Sequence, residues 1–145
     1  MEDACVRVRS SAGVTPWNQI VKWSQIKRRI KEFIVVPLQG RVQFYITSYA
    51  REDAVVGRGW VTVDGEEVLS VSSAERQAFY EVLRDYPDTS IENALVSPNE
   101  VARGLAMIDR RLGKRRLSAF DISAEHPFVQ CLYRLRCQTE GIEKE

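Results

Sequence analysis

The chain has 145 residues, of which 44% are hydrophobic and 28% charged, and its formal net charge is +1. That composition lets an ordinary domain build a core without disulfide staples. The near-zero charge excludes a global field toward nucleic acid or a membrane surface.

Charge is nonetheless blocked along the chain. Residues 1–40 hold seven basic and three acidic side chains, 65–100 hold two and eight, and 101–116 hold six and one. Such alternation favours a bipolar surface, self-association or a charged partner. The longest apolar run, Phe33 to Leu38, is far too short for a bilayer. Met1 is followed by Glu2 and Asp3, not by the start of a signal peptide. Cys131 and Cys137 are six apart in a predicted helix and point to different faces, so no disulfide is expected between them. The expectation is a reduced, cytoplasmic, bacterial protein.

Residues 1–16 lack a sustained period and read as a mobile arm, with an edge strand over Cys5 to Arg9 as the alternative. Residues 17–145 read as a single α+β domain. Trp17 to Val35 is the first predicted helix, with Ile20, Trp23, Ile26, Ile30, Phe33 and Ile34 at helical spacing and Pro37 beyond its end. Arg41 to Tyr49 alternates as a strand, with Val42, Phe44 and Ile46 on one face and Tyr45 and Tyr49 on the other. Arg51 to Val56 reads as a charged connection. Strands over Arg58 to Asp64 and Glu67 to Val71 follow, turned at Asp64-Gly65, a dipeptide suited to the positive φ of tight hairpins. Connections this short require an antiparallel meander.

Ser73 is the expected cap of a second helix carrying Phe79, Tyr80, Leu83 and Tyr86. Asp88 to Val96 reads as a loop or short turn. Ser97-Pro98-Asn99-Glu100 predicts a third helix with Ser at the cap and Pro at the first position, running through Leu112 to a terminal Gly113. Arg115 to Ile122 is ambiguous and admits a fourth strand. Ser123 is the expected cap of a last helix from Ala124 to Thr139, ended by Gly141. The fold expected is therefore a three- or four-stranded, mostly antiparallel sheet with about four helices packed mainly on one face. Trp23, Phe44, Ile46, Leu83, Leu105, Ile108 and Leu132 are the expected shared core.

No catalytic or metal motif is visible and no cofactor is implied. His126 is the only histidine, so a histidine-based triad or metal set cannot be built. Its neighbours Asp121 and Glu125 admit a general base, but a solvated first helical turn accounts for it more simply. Arg110, Arg111, Lys114, Arg115 and Arg116 are candidate phosphate ligands, weighed against a solvated basic face at a helix C-terminus. Aromatic interleaving is absent there, which makes nucleic acid the weaker partner. Arg41, Tyr45, Tyr49, Arg58 and Trp60 are candidates for a ligand pocket or an isologous dimer face. Which of Trp60, Val61 and Val63 lies beside the tyrosines depends on the register, and the alternative is a sheet covered on both faces by helices of the same chain. The leading function is a non-enzymatic homodimeric binding module. The alternatives are a small-molecule-binding protein or weak enzyme, and a nucleic-acid accessory protein.

Trp23-Ser24-Gln25-Ile26-Lys27, Gly40-Arg41-Val42, Ile46 to Arg51, Gly57 to Glu67 and Glu125-His126-Pro127-Phe128-Val129 together resemble a family of small bacterial proteins. The resemblance covers the chain except roughly residues 1–20, which look like an extension. It implies no activity, because none is assigned to that family.

Overall fold

Three strands and six helices form the fold in a computed structural model that describes residues 23–51 and 54–142, with side chains over 23–48 and 57–142. Strands β1 (Val42–Arg51), β2 (Ala54–Val63) and β3 (Glu66–Val71) make an antiparallel meander in the order β1-β2-β3. The helices are α1 (Trp23–Lys31), α2 (Arg76–Asp85), α3 (Ile91–Leu95), α4 (Glu100–Met107), α5 (Lys114–Ser118) and α6 (Pro127–Glu140). The architecture is α+β, as the patterning implies. The predicted arm and the first turns of the first predicted helix, residues 1–22, lie outside the described residues.

The β2–β3 turn follows from its sequence. Asp64 and Gly65 both take positive φ, 54° and 88°, as a two-residue primed turn demands. The β1–β2 hairpin is longer than its charge suggests. Arg51 to Val56, expected as a connection, is largely strand, and the ladder closes on Arg51 opposite Ala54. The β-branched Val55 and Val56 favour extension there.

Alternation then sorts the sheet into two faces. Val42, Phe44 and Ile46 of β1, Val61 of β2 and Val71 of β3 are buried on the inner face. They share one core with Trp23, Leu83, Leu105, Ile108 and Leu132, each at most 1% exposed. Gly59, on that face, makes room for the α2 ring of Phe79: a Cβ at Gly59 would lie 2.5 Å from it. Gly104 of α4 does the same for Phe128 of α6, also at 2.5 Å.

Several helix boundaries differ from the patterning, each for a local reason. α1 ends at Lys31 rather than Val35, because Ile34 leaves the helix to bridge Asp109. A 3₁₀ turn over Ser73–Glu75 precedes α2, and Glu75, not Ser73, takes its cap position. α3 is a helix where a loop was expected, capped by Ser90 Oγ accepting from Asn93 N at 3.1 Å. α4 is capped by Asn99, whose Oδ1 accepts from Val101 N at 2.7 Å, which leaves Pro98 outside the helix. α4 stops at Met107, since Val35 N donates to Ile108 O and Arg110 N to Phe33 O. The ambiguous 115–122 stretch contains no strand. Gly113 opens α5 instead, and that helix buries Leu117. α6 begins at Pro127, with His126 as its cap, and Gly141 ends it at φ 69°. Among the described residues, no helix is long and apolar enough to cross a membrane.

Candidate functional site

The outer face of the sheet carries the most organised side-chain cluster at the surface. Register places Tyr45 of β1 opposite Trp60 of β2, and Trp60 opposite Ser70 of β3. The two rings stack with centroids 5.0 Å apart and planes 9° apart. Lys27 of α1 lies over the tyrosine ring, its Nζ 5.6 Å from the ring centre. Arg58 lies over the tryptophan with Cζ at 4.3 Å. The Arg58 guanidinium is itself held, donating to Glu67 at 2.8 Å and to Ser70 Oγ at 3.3 Å. The result is a four-layer row, Lys27–Tyr45–Trp60–Arg58, laid across the sheet. Tyr45 and Trp60 are half-buried, while the inner-face residues beside them are buried.

Thr62 continues this face beside the register shift at Val61/Thr62. Its Oγ1 is buried and has no partner among the described residues. Arg41 sits at the end of the sheet rather than over the aromatic row. It donates twice to Asp64, both at 2.9 Å, and once to Thr139 Oγ1 at 3.4 Å. Those bonds hold the Asp64 carboxyl below its ordinary pKa. Tyr49 lies opposite Val56 in the register, and its side chain is outside the described set.

The basic segment divides between interior and surface. Asp109 is 1% exposed, and its carboxylate accepts from Arg111 Nη2 at 2.8 Å and from Tyr86 Oη at 2.6 Å. Arg111 also donates to Thr89 O at 2.9 Å and lies 4.4 Å over Phe33. Arg110 donates to Glu32 O at 2.7 Å, and Arg116 pairs with Glu92 at 3.4 Å. Lys114 and Arg115 are exposed on α5. The five residues are thus not brought together as one grip. Arg136 of α6 completes the interior network, donating to the carbonyls of Met107 and Asp109 at 3.2 and 3.0 Å. Patterning did not single out Asp109 or Arg136. The visible signal was that Asp109 is the only acid within 101–116.

The His126 ring is exposed, and its Nδ1 accepts from Phe128 N at 3.0 Å. Glu125 is turned to Arg103 at 3.1 Å. Among the described residues, no group of three metal-ligating side chains forms. Cys131 and Cys137 are free thiols, and burial raises the Cys131 pKa. Two surface cavities are notable. One of about 500 Å³ lies between α2 and the α3–α4 region, lined by Glu81, Asp85, Asn93 and Val96. One of about 270 Å³ lies between α1 and β1. Neither includes Tyr45 or Trp60.

A family model described as the SF0329 protein family matches residues 22–78 and 72–137. Comparison with curated proteins returns no match, and neither does comparison with solved structures.

Proposed function

We propose that the chain, which belongs to the SF0329 protein family, is a non-enzymatic interaction module whose contact surface is the outer face of its sheet and whose partner is a second copy. The observation that carries this reading is the row Lys27–Tyr45–Trp60–Arg58. Tyr, Trp and Arg are the side chains that dominate protein interfaces: the two aromatics bury much area for few rotatable bonds, and Arg offers a planar, stacking guanidinium. Here they are already ordered by one another and by Glu67, so association loses little side-chain entropy. Among the described helices none supplies a residue to this row except α1, through Lys27.

A two-fold contact through one face is self-complementary, as a closed dimer requires. The free thiols and the charge pattern fit a cytoplasmic, bacterial setting for such a module. A small molecule at the rings is less well supported, since neither surface cavity includes Tyr45 or Trp60. Nucleic-acid binding through residues 110–116 is less well supported because Arg111 is turned inward to Asp109.

Light scattering of the full chain across a hundredfold dilution from micromolar concentration tests the reading. Twice the chain mass of 16.6 kDa is expected, with an interface of at least about 1,000 Å². Trp60→Ala should shift the population to monomer. A monomer at every concentration in the unsubstituted protein would defeat the second-copy reading.

A further inference from the structure

We infer that the groove between α1 and the edge of β1, unpaired among the described residues, is a binding site for a small organic anion with an apolar body. The cavity of about 270 Å³ has Ile30, Ile34, Val42 and Phe44 among its lining residues, and Lys27, Arg28 and Lys31 bring three cations to it. The four apolar residues are at most 3% exposed, so they form the floor. The cations come from one turn of α1, where spacings of three and four residues share a side of a helix.

What distinguishes this groove is that three cations without a carboxylate partner line one cavity. Arg29, Arg41, Arg58, Arg84 and Arg116 are each bound to a carboxylate. Lys27, Arg28 and Lys31 have no carboxylate partner among the described residues. Arg76, Arg110, Lys114, Arg115 and Arg134 also lack one, but they line neither cavity. Three cations without a carboxylate partner among the described residues stand over an apolar floor, and a negatively charged ligand complements that arrangement.

The strand wall adds donors. Asp64 N donates to Arg41 O at 2.8 Å, and 41 opposite 64 continues the β1–β2 register. Antiparallel pairs alternate between bonded and non-bonded. The peptide groups of Val42 and Phe44 therefore point away from β2, along the side of β1 that no described strand pairs. Backbone N–H groups beside cations suit a phosphate or carboxylate oxygen. The volume lies just under the range of about 300–1,000 Å³ typical of drug-sized ligands. That size fits a phosphate monoester or carboxylate on a single ring or short chain.

Backbone amide NMR of the full-length protein, titrated with phenyl phosphate, inorganic phosphate and benzyl alcohol, tests the site. Phenyl phosphate should give saturable shifts confined to residues 24–44. Inorganic phosphate should bind more weakly, and benzyl alcohol should not saturate. Lys27→Gln and Lys31→Gln should each weaken phenyl phosphate about fivefold, the scale of one exposed ion pair. The double variant Lys114→Gln, Arg115→Gln should leave its affinity unchanged. The inference is overturned by shifts that do not saturate, by equal affinity for the two phosphates, or by an equal loss in the α5 variant. Melting curves matching the parent protein ensure that each loss is read on folded protein.

Discussion

Arg111 and Arg58 each lie over an aromatic ring and pair with a carboxylate, yet they stand in opposite surroundings. Arg111 covers Phe33 at 4.4 Å and is tied to Asp109, whose side chain is fully buried. Arg58 covers Trp60 at 4.3 Å and is tied to Glu67, whose side chain is 43% exposed. The first cluster joins three stretches of chain, since Phe33, the 86–89 turn and Asp109 all meet at Arg111. The second lies within one sheet. The same chemistry therefore consolidates the fold in one place and leaves a rigid, unspent surface in the other. Burial decides which, because an ion pair loses its solvent screening only when water is excluded.

Asp109→Ala is the severest way to test that contrast. It leaves the Arg111 guanidinium and the Tyr86 hydroxyl without their acceptor, and breaking a buried pair costs about 3–5 kcal/mol. Urea unfolding should show that loss in the midpoint. A change within about 0.5 kcal/mol, the range of neutral surface substitutions, would mean that water reaches the cluster and that the two arginines are alike.

The two faces of the sheet offer a second contrast, at Gly59 and its neighbour Trp60. Gly59→Ala pushes a methyl group into the buried Phe79 ring, where overpacking costs about 1–3 kcal/mol. Thermal melts should register this, whereas Trp60→Ala should act chiefly on association. Equal destabilisation by both would mean that the outer row is part of the core.

Alkaline pH sharpens the comparison further. Burial, and then the charge of Asp109, raise the Tyr86 pKa above its ordinary 10.0. The folded protein keeps a proton that the unfolded chain releases above about pH 10. This contribution is therefore intact below pH 10 and is lost as pH rises beyond it, at about 1.4 kcal/mol for each unit. Stability measured from pH 9 to 11 should fall less steeply in Tyr86→Phe than in the parent protein. Identical slopes would show that the phenol is not held neutral by its surroundings.

Much of the sheet is legible in the sequence because its determinants are local. The alternation of Val42 to Ile46 and the Asp64-Gly65 turn each act within a few residues. Pairing Tyr45 with Trp60 was not legible, because 51–56 read as a connection and hid the hairpin's phase. Once the ladder closes on Arg51 and Ala54, Tyr45 must face Trp60. The ends of α1 and α4 were illegible for another reason. They are set by the bridge between Ile34 and Asp109, far apart in the chain, and no local signal marks it. That bridge also buries Asp109, an acid that composition alone assigns to a solvated surface. The groove under α1 was not legible: the sequence shows a basic excess over residues 1–40, but which of those cations stand beside β1 depends on how α1 docks on the sheet.

Glu67→Gln is the mildest perturbation and the most discriminating. It removes the charge that anchors Arg58 while keeping the side chain's shape. Exposed pairs of this kind contribute about 0–1 kcal/mol, so the melting temperature should barely move. Ser70 Oγ and the Trp60 ring still hold the guanidinium, so the stacked row should persist. What changes is the charge offered to a partner: the row gains one net positive charge. If two copies meet through this face, like charges are brought together across the two-fold axis. Dimer dissociation by light scattering should then become more sensitive to low ionic strength, because salt screens that repulsion. A dissociation constant with unchanged salt dependence would place the contact between copies elsewhere. Arg58 would then stabilise only its own sheet, as Arg111 does its own core, and the contrast between the two clusters would be one of exposure rather than of role.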